Sequence, residues 1–261
     1  MKAIIIAAGM GQRLRPYTAD RPKCMVEING RSLVQRQVDA YRDAGIDEII
    51  IIRGYRGRQI QLPNITYVEN PNFQSNNILE SLFCAREHLF GDVIISYGDI
   101  TFHPDLVKGL LPVQAPVSLV VDLDWASVYE GRDDHPIEQA ELCEVMSLPA
   151  EGMLRNDHIH RITEVGKQVG ADRARGEFIG LCKLNAPALA RFCALYSHAR
   201  LKGLDEPYGH ATSLRKAYLC DLFNDAIQRD EFIHPFFFKG GMWREIDTVQ
   251  DYERAQEAVT W

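Results

Sequence analysis

Four residues near the start of the chain, Gly9, Gly11, Arg13 and Lys23, have the types and spacing to hold an anion. They follow a short apolar run, Ala3-Ile4-Ile5-Ile6-Ala7-Ala8, which opens straight into Gly9-Met10-Gly11-Gln12-Arg13. Glycines let backbone amides approach an anion with no Cβ in the way. Arg13 and Lys23 add fixed positive charge. The plainer role for two glycines after a strand is a tight turn. A GxGxxG dinucleotide fingerprint does not fit, because Leu14 stands where its third glycine would be.

A second group is acidic. Asp99 closes Tyr97-Gly98-Asp99 after the apolar run Val93-Ile94-Ile95-Ser96, and Glu245 and Asp247 flank Ile246 in Trp243-Arg244-Glu245-Ile246-Asp247-Thr248. In an extended segment Glu245 and Asp247 point to one side and Ile246 to the other. Together with Asp99 they would form an oxygen site for Mg²⁺. Taken separately, Asp99 reads as a turn cap and the other two as a solvated acidic edge. His158 and His160, two residues apart in a polar stretch, read as surface and are assigned no role.

These residues need elements to aim them, and the pattern supplies a doubly wound α/β order. Residues 2–7 read as a buried strand, and Ser32 as the N-cap of a helix carrying Val34, Val38 and Tyr41, stopped by Gly45. Continuous apolar runs at 48–52, 93–96 and 117–121 are those of a parallel sheet covered on both faces. A short extended piece at 66–68 and a helix over 76–90 lie between them. In such sheets ligands bind beyond the carboxyl ends of the strands, where Gly9–Arg13 and Asp99 fall. Residues 122–175 lose the period and read as an irregular or β-rich insertion that walls the site. Regular structure resumes with a strand at 178–184, helices at 186–196 and 215–227, a strand at 232–239 and a closing helix at 249–259. The expected whole is one domain over 1–261, with a nucleotide half (1–121) and an acceptor half (122–261).

The 261 residues are 46% hydrophobic, enough for a substantial core. No apolar stretch reaches membrane-span length, and the first run is too soon interrupted for a signal peptide, so a cytoplasmic location is expected. A net charge of −7 argues against a general nucleic-acid binder but leaves room for a nucleotide in a local basic loop. The six cysteines form no CxxC pair, so neither a disulfide framework nor a zinc site is expected.

The longer string Ala7-Ala8-Gly9-x-Gly11-x-Arg13-Leu14-x-Pro16-x-Thr18, then Pro22-Lys23, resembles the signature of the sugar-nucleotidyltransferase superfamily. Further strings look like its cytidylyltransferase branch, which charges small phospho- or phosphono-compounds: Pro22-Lys23-Cys24-Met25-Val26-Glu27, Asn76-Asn77, Tyr97-Gly98-Asp99, Val121-Asp122-x-Asp124-Trp125, Gly166-Lys167 and Gly176-Glu177-Phe178-Ile179-Gly180. The resemblance implies a Rossmann-like nucleotidyltransferase fold and CTP-dependent transfer of CMP to phosphocholine, 2-aminoethylphosphonate or a similar headgroup. Mg²⁺ would sit on Asp99, Glu245 and Asp247. Ala7, Ala8, Gly9, Gly11, Asn76, Asn77 and Gly98 would hold the nucleotide, and Arg13 and Lys23 would act on its phosphates. Asn76 and Asn77 equally suit helix capping, and one of the pair could do each.

The acceptor site would draw on Tyr97, Trp125, Arg132, Lys167, Glu177 and Trp243, each with a plainer reading as core aromatic or surface charge. Tyr97, Trp125, Tyr129, Phe178 and Trp243 could cage a trimethylammonium. Asp122, Asp124, Glu138, Glu141 and Glu177 could hold a primary amine, and Arg132 could grip a carboxylate. The clustered acids favour a small cationic acceptor, with phosphocholine and 2-aminoethylphosphonate ahead of a phosphoamino acid. The expected partners are thus CTP and such a compound, with no nucleic acid or membrane, in a monomer or homodimer. The rivals are a hexose-1-phosphate nucleotidyltransferase and a regulatory nucleotide-binding module without turnover.

Overall fold

The computed structural model describes residues 1–149 and 158–261. Along the first half run β1 (Lys2–Ala7), β2 (Glu27–Ile28), β3 (Arg31–Ser32), α1 (Leu33–Asp43), β4 (Ile49–Arg53), β5 (Thr66–Glu69), α2 (Ile78–Cys84), β6 (Val93–Tyr97), β7 (Ile100–Phe102), α3 (Pro104–Leu110) and β8 (Val117–Asp122). The second half adds α4 (Trp125–Val128), β9 (Leu142–Pro149), β10 (His158–Gly166), β11 (Gly176–Leu184), α5 (Ala186–Lys202), α6 (Leu219–Gln228), β12 (Ile233–Phe238), β13 (Trp243–Glu245) and α7 (Val249–Ala258).

The isoleucine runs explain the layers. Alternate residues of a strand face opposite sides of the sheet. Ile4, Ile6, Ile50 and Ile52 therefore join one core with α2, α5 and α6. Ala3, Ile5, Ile49 and Ile51 join the other with Val34, Val38 and Tyr41 of α1 and Leu106, Val107 and Leu110 of α3. Each fully buried isoleucine contributes about 1.5–3 kcal/mol, so two covered faces suit unbroken apolar strands.

The sheet runs β10-β9-β11-β6-β1-β4-β5, with β8 beside β11 and β12 beside β8. Strands β6, β1, β4 and β5 are parallel, the doubly wound part expected from the sequence. Strand β11 is antiparallel to β6, β8 and β9 and ties the second half onto it. The insertion over 122–175 is in part a β-hairpin, β9 with β10, preceded by the single turn α4; its residues 150–157 lie outside the described residues.

Three helices differ from their predicted bounds. The helix expected over 76–90 ends at Cys84 and continues as a 3-10 turn over Arg86–His88. That tighter turn brings Leu89 into the core, 8% exposed, and leaves Phe90 outside at 63%. The helix expected from 215 starts at Leu219, because the Asp221 carboxylate accepts the Tyr218 amide at 2.8 Å and fixes the start there. Helix α5 runs past 196 to Lys202, where Gly203 ends it. No helix among the described residues is long and apolar enough to cross a membrane.

Candidate active site

The carboxyl ends of β1 and β6 lie side by side, with Ile6 opposite Tyr97. The chain leaves β1 at Ala7 and Ala8, both buried. A Cβ on Gly9 would meet nothing within 4 Å, so its backbone is open to a ligand. Gly11 adopts φ +60°, and a Cβ there would press on Lys23 and Thr18 at 3.0 Å. The Thr18 hydroxyl donates to the Gly11 carbonyl at 2.6 Å, closing the loop on itself. At the end of β6, a Cβ on Gly98 would come within 2.7 Å of the Ile6 carbonyl oxygen, so close packing against β1 accounts for that glycine.

Asp99 and the Glu245–Asp247 segment meet through backbone pairing. Strand β13 is antiparallel to β7, with Glu245 opposite Ile100, and the Ile246 amide donates to the Asp99 carbonyl at 3.0 Å. Ile246 is fully buried while Glu245 and Asp247 face one cavity, as an extended segment dictates. Gln37 of α1 holds the turn before Asp99 from below: its amide donates to the carbonyls of Tyr97 at 2.8 Å and Ile100 at 2.7 Å.

The charges converge there. Lys23 Nζ donates to Asp99 Oδ2 at 2.7 Å and also to Asp247 Oδ1. Arg13, whose side chain is half exposed, pairs with Asp247 as well. Burial works against a charge on Lys23, but Asp247 and Asp99 outweigh it and raise its pKa. Burial likewise opposes ionisation of Asp247, yet Lys23 and Arg13 hold its carboxyl below the usual range. Glu245 goes the other way, raised by burial and by its neighbour Asp247. Lys23 is therefore no solvated loop residue; it is 7% exposed and clamped between two acids.

One residue beyond the predicted acids joins this cluster. His135 brings a ring nitrogen into one group with Glu245 and Asp247, their candidate ligand atoms all within 4.8 Å of one another. It sits in a polar loop and carries no signal in the sequence. Asp99 is outside that group and joins it only through Lys23, but its Oδ1 is buried without a hydrogen-bond partner. Two carboxylates and an imidazole within 4.8 Å of one another fit a divalent cation, and the orphaned Asp99 oxygen is a further acceptor outside that set.

Arg132 corrects an expectation. It is buried, and its guanidinium serves the chain's own acids: Glu245 Oε2 at 2.9 Å and Asp251 Oδ1 at 2.6 Å. It is therefore not free to grip an acceptor carboxylate; it orients a candidate metal acid. Asp251 in turn caps α7, accepting from the amides of Asp247 at 3.0 Å and Thr248 at 2.9 Å.

Beside the acids lies a cavity of about 200 Å³ whose far wall includes Tyr97, Glu141, Lys167, Glu177, Tyr218 and Trp243. Burial pushes the Glu141 carboxyl up to about 7 and that of Glu177 up to about 8. Tyr97 donates its hydroxyl to Glu141 at 3.0 Å, and Tyr129 donates to Glu177 at 2.6 Å. Lys167 Nζ reaches Gln139 Oε1 at 3.0 Å and lies over the Tyr218 ring.

The predicted aromatic cage is incomplete. Trp125 packs with Tyr129, Ala140, Leu142 and Val169 in a small core away from this wall. Asp122 is taken by Trp243 Nε1 at 2.8 Å and the Asp124 amide at 2.9 Å, and Glu138 is exposed. Asn77 stands at the N-cap of α2 but spends its amide on the Lys216 carbonyl at 2.9 Å, bordering the cavity. Asn76 pairs with Asn70 and does not reach it.

A parallel βα core, a glycine loop after its first strand and converging carboxylates at the strand ends are the setting of a nucleotidyltransferase. The chain belongs to the MobA-like NTP transferase domain family, which it matches over residues 3–260. It is 29% identical to the CTP:phosphoglutamine cytidylyltransferase of Campylobacter jejuni, over 97% of this chain and 98% of that protein. It is 37% identical to the choline-phosphate cytidylyltransferase of Streptococcus pneumoniae over 39% of this chain and 46% of that protein. Among solved structures, a UDP-glucose pyrophosphorylase complexed with UDP-glucose shares the fold with a TM-score of 0.73 at 16% identity, covering 98% of this chain and 97% of the other.

Proposed function

We propose that this nucleotidyltransferase is a cytidylyltransferase: it transfers CMP from CTP to a small phosphorylated or phosphonate compound bearing an ammonium group, and releases pyrophosphate. The observation that carries the acceptor is the pair of buried carboxyls, Glu141 and Glu177, in the cavity beside Asp99, Glu245 and Asp247. Buried carboxylates need a cation or a proton. A hexose phosphate would offer them only hydroxyls. A primary ammonium donates hydrogen bonds to carboxylates, whereas a trimethylammonium prefers aromatic faces. With Trp125 and Tyr129 outside the cavity lining, an aminoalkyl phosphonate or phosphorylated amino acid fits better than phosphocholine. The similarity to a CTP:phosphoglutamine cytidylyltransferase over nearly the whole chain supports both nucleotide and acceptor class.

In this reading residues 1–121 hold the nucleotide and 122–261 the acceptor. The open backbone at Gly9 and the turn at Gly11 receive the triphosphate, with Arg13 on its outer side. Lys167 faces the acceptor phosphate. That phosphate is already anionic, so no general base is needed: its oxygen forms the new bond to the α-phosphorus as the bond to pyrophosphate breaks. Catalysis is then positioning and charge neutralisation. Asp99, Asp247 and Glu245 would hold Mg²⁺, which when bound neutralises charge on the reacting phosphate.

The test is a matrix of CTP, UTP, dTTP and ATP against 2-aminoethylphosphonate, phosphocholine, a phosphorylated amino acid and glucose 1-phosphate, read as kcat/KM from pyrophosphate release. The expected maximum is CTP with an amine-bearing acceptor. Highest activity with UTP or dTTP and glucose 1-phosphate would make it a sugar-nucleotide enzyme. Nucleotide binding with no turnover on any acceptor would make it a regulatory module.

A further inference from the structure

Behind the carboxylates, on the other side of Glu245 from the catalytic cavity, lies a second cavity of about 360 Å³. Glu245 borders both. Three arginines, Arg132, Arg244 and Arg254, line it together with five acids, Asp122, Asp124, Glu245, Asp251 and Glu257.

The acids in this wall are mostly spent on internal donors. Asp122 accepts from Trp243 and from the Asp124 amide, Asp124 accepts from the Gly240 amide at 2.9 Å, and Glu245 and Asp251 accept from Arg132. The arginines keep donors to spare, Arg132 included although its Nε and Nη2 serve Asp251 and Glu245. Arg132 Nη1 and Arg254 Nη1 are buried with no hydrogen-bond partner among the described residues. Arg244 Nη1 donates only to the backbone carbonyls of Gly241 at 3.1 Å and Trp243 at 2.6 Å. Glu257 lies one turn from Arg254 on α7.

Buried guanidinium donors without acceptors are costly, and like charges side by side add to the cost. One partner answers both. A multidentate oxyanion accepts from several forks at once, and guanidinium groups match it geometrically. We propose that Arg132, Arg244 and Arg254 form a second, non-catalytic site for a phosphoryl-type oxyanion. The volume has room for pyrophosphate or a small phosphate ester as well as for free phosphate. Arg132 is common to this site and to the Glu245–Asp251 bridge, so the ligand lies one side chain from the acids of the catalytic cavity.

Calorimetric titration of the whole protein, without nucleotide, with inorganic phosphate and separately with pyrophosphate, tests this. Two classes of site are expected, one on the glycine loop and one here. Arg13→Gln should weaken the first class and leave the second. The double variant Arg244→Gln/Arg254→Gln should weaken the second at least tenfold while turnover in phosphate-free buffer stays within about twofold. Ser127→Glu keeps both arginines but adds a carboxylate to the cavity wall, and it should remove the same class even if the double variant fails to fold. Tighter binding of pyrophosphate than phosphate at the second class would point to a diphosphate or ester ligand; the reverse order would point to free phosphate. A single class, lost in Arg13→Gln and untouched by Ser127→Glu, would overturn the proposal.

Discussion

A buried ammonium clamped between two carboxyl groups is held charged by them, and they lean on it in return. This is the position of Lys23, and it gives its substitution two separable effects. In the reaction, loss of its charge should lower kcat by about 10²-fold, or about 3 kcal/mol. In the ligand-free protein, Lys23→Met takes from Asp99 its lysine partner and leaves Asp247 to Arg13, a change near the low end of the about 3–5 kcal/mol that removing one partner of a buried pair costs. The melting temperature in EDTA should therefore fall by about 6 °C or more. Mg²⁺ should recover much of that loss without restoring kcat, because a divalent cation can replace the charge but not the lysine. An unchanged melting temperature in EDTA would mean that the clamp contributes nothing to the fold. The sequence brought Asp99 within view because it follows an apolar run, and Glu245 and Asp247 because they alternate about Ile246 in a segment that resembles the superfamily's metal acids. It could not show His135, an isolated histidine in a polar loop, or Gln37, a polar residue on an otherwise ordinary helix face. It also placed Arg132 at the acceptor, with an exposed loop arginine as the plainer reading, since its partners, Glu245 and Asp251, lie more than a hundred positions away.

Elements were legible where period and burial agreed. The isoleucine strands and the Ser32 cap, which accepts the Gln35 amide at 3.3 Å, follow directly from local pattern. Helix ends were less so: the apolar period through 90 continues across the 3-10 turn, because i, i+3 contacts do not distinguish the two geometries. Strand β11 carries a feature of functional weight that pattern alone does not show. Its pairing with β8 shifts register between Phe178 and Cys182, and Gly180 sits within that shift at φ +78°. A Cβ there would meet the Tyr97 ring at 2.4 Å. The bulge thus lets the Tyr97 ring lie against β11 while its hydroxyl reaches Glu141. Gly180→Ala should strain the backbone and push that ring aside. We expect KM for the acceptor to rise about tenfold or more while KM for CTP changes less than about threefold, with stability lower by about 1–3 kcal/mol. Equal changes in both constants would show that the bulge supports the whole site rather than its acceptor wall.

At the scale of the molecule, two buried acids tie stability to pH and to ligand. Glu141 and Glu177 titrate at about 7 and about 8 in the fold, above the ordinary glutamate value of 4.5. Between pH 4.5 and 8 the folded chain therefore binds more protons at these groups than the unfolded chain does. Stability falls with rising pH wherever the folded state binds more protons, so these two acids should lower it progressively across that window and add no further slope above it. Such a cost is typical of a site kept ready for a ligand rather than for the fold. An ammonium-bearing acceptor reverses it by stabilising the ionised carboxylates. Acceptor binding at pH 7 should then release protons, and acceptor affinity should increase from pH 6 to 8. Calorimetry in buffers of different ionisation enthalpy measures the release directly. Glu177→Gln separates it from any titration of the acceptor's own phosphate, because that contribution persists in the variant while the carboxyl's is lost. The variant should also flatten the decline of melting temperature with pH between 6 and 8. Proton release identical in wild type and Glu177→Gln would remove Glu177 from the ammonium site.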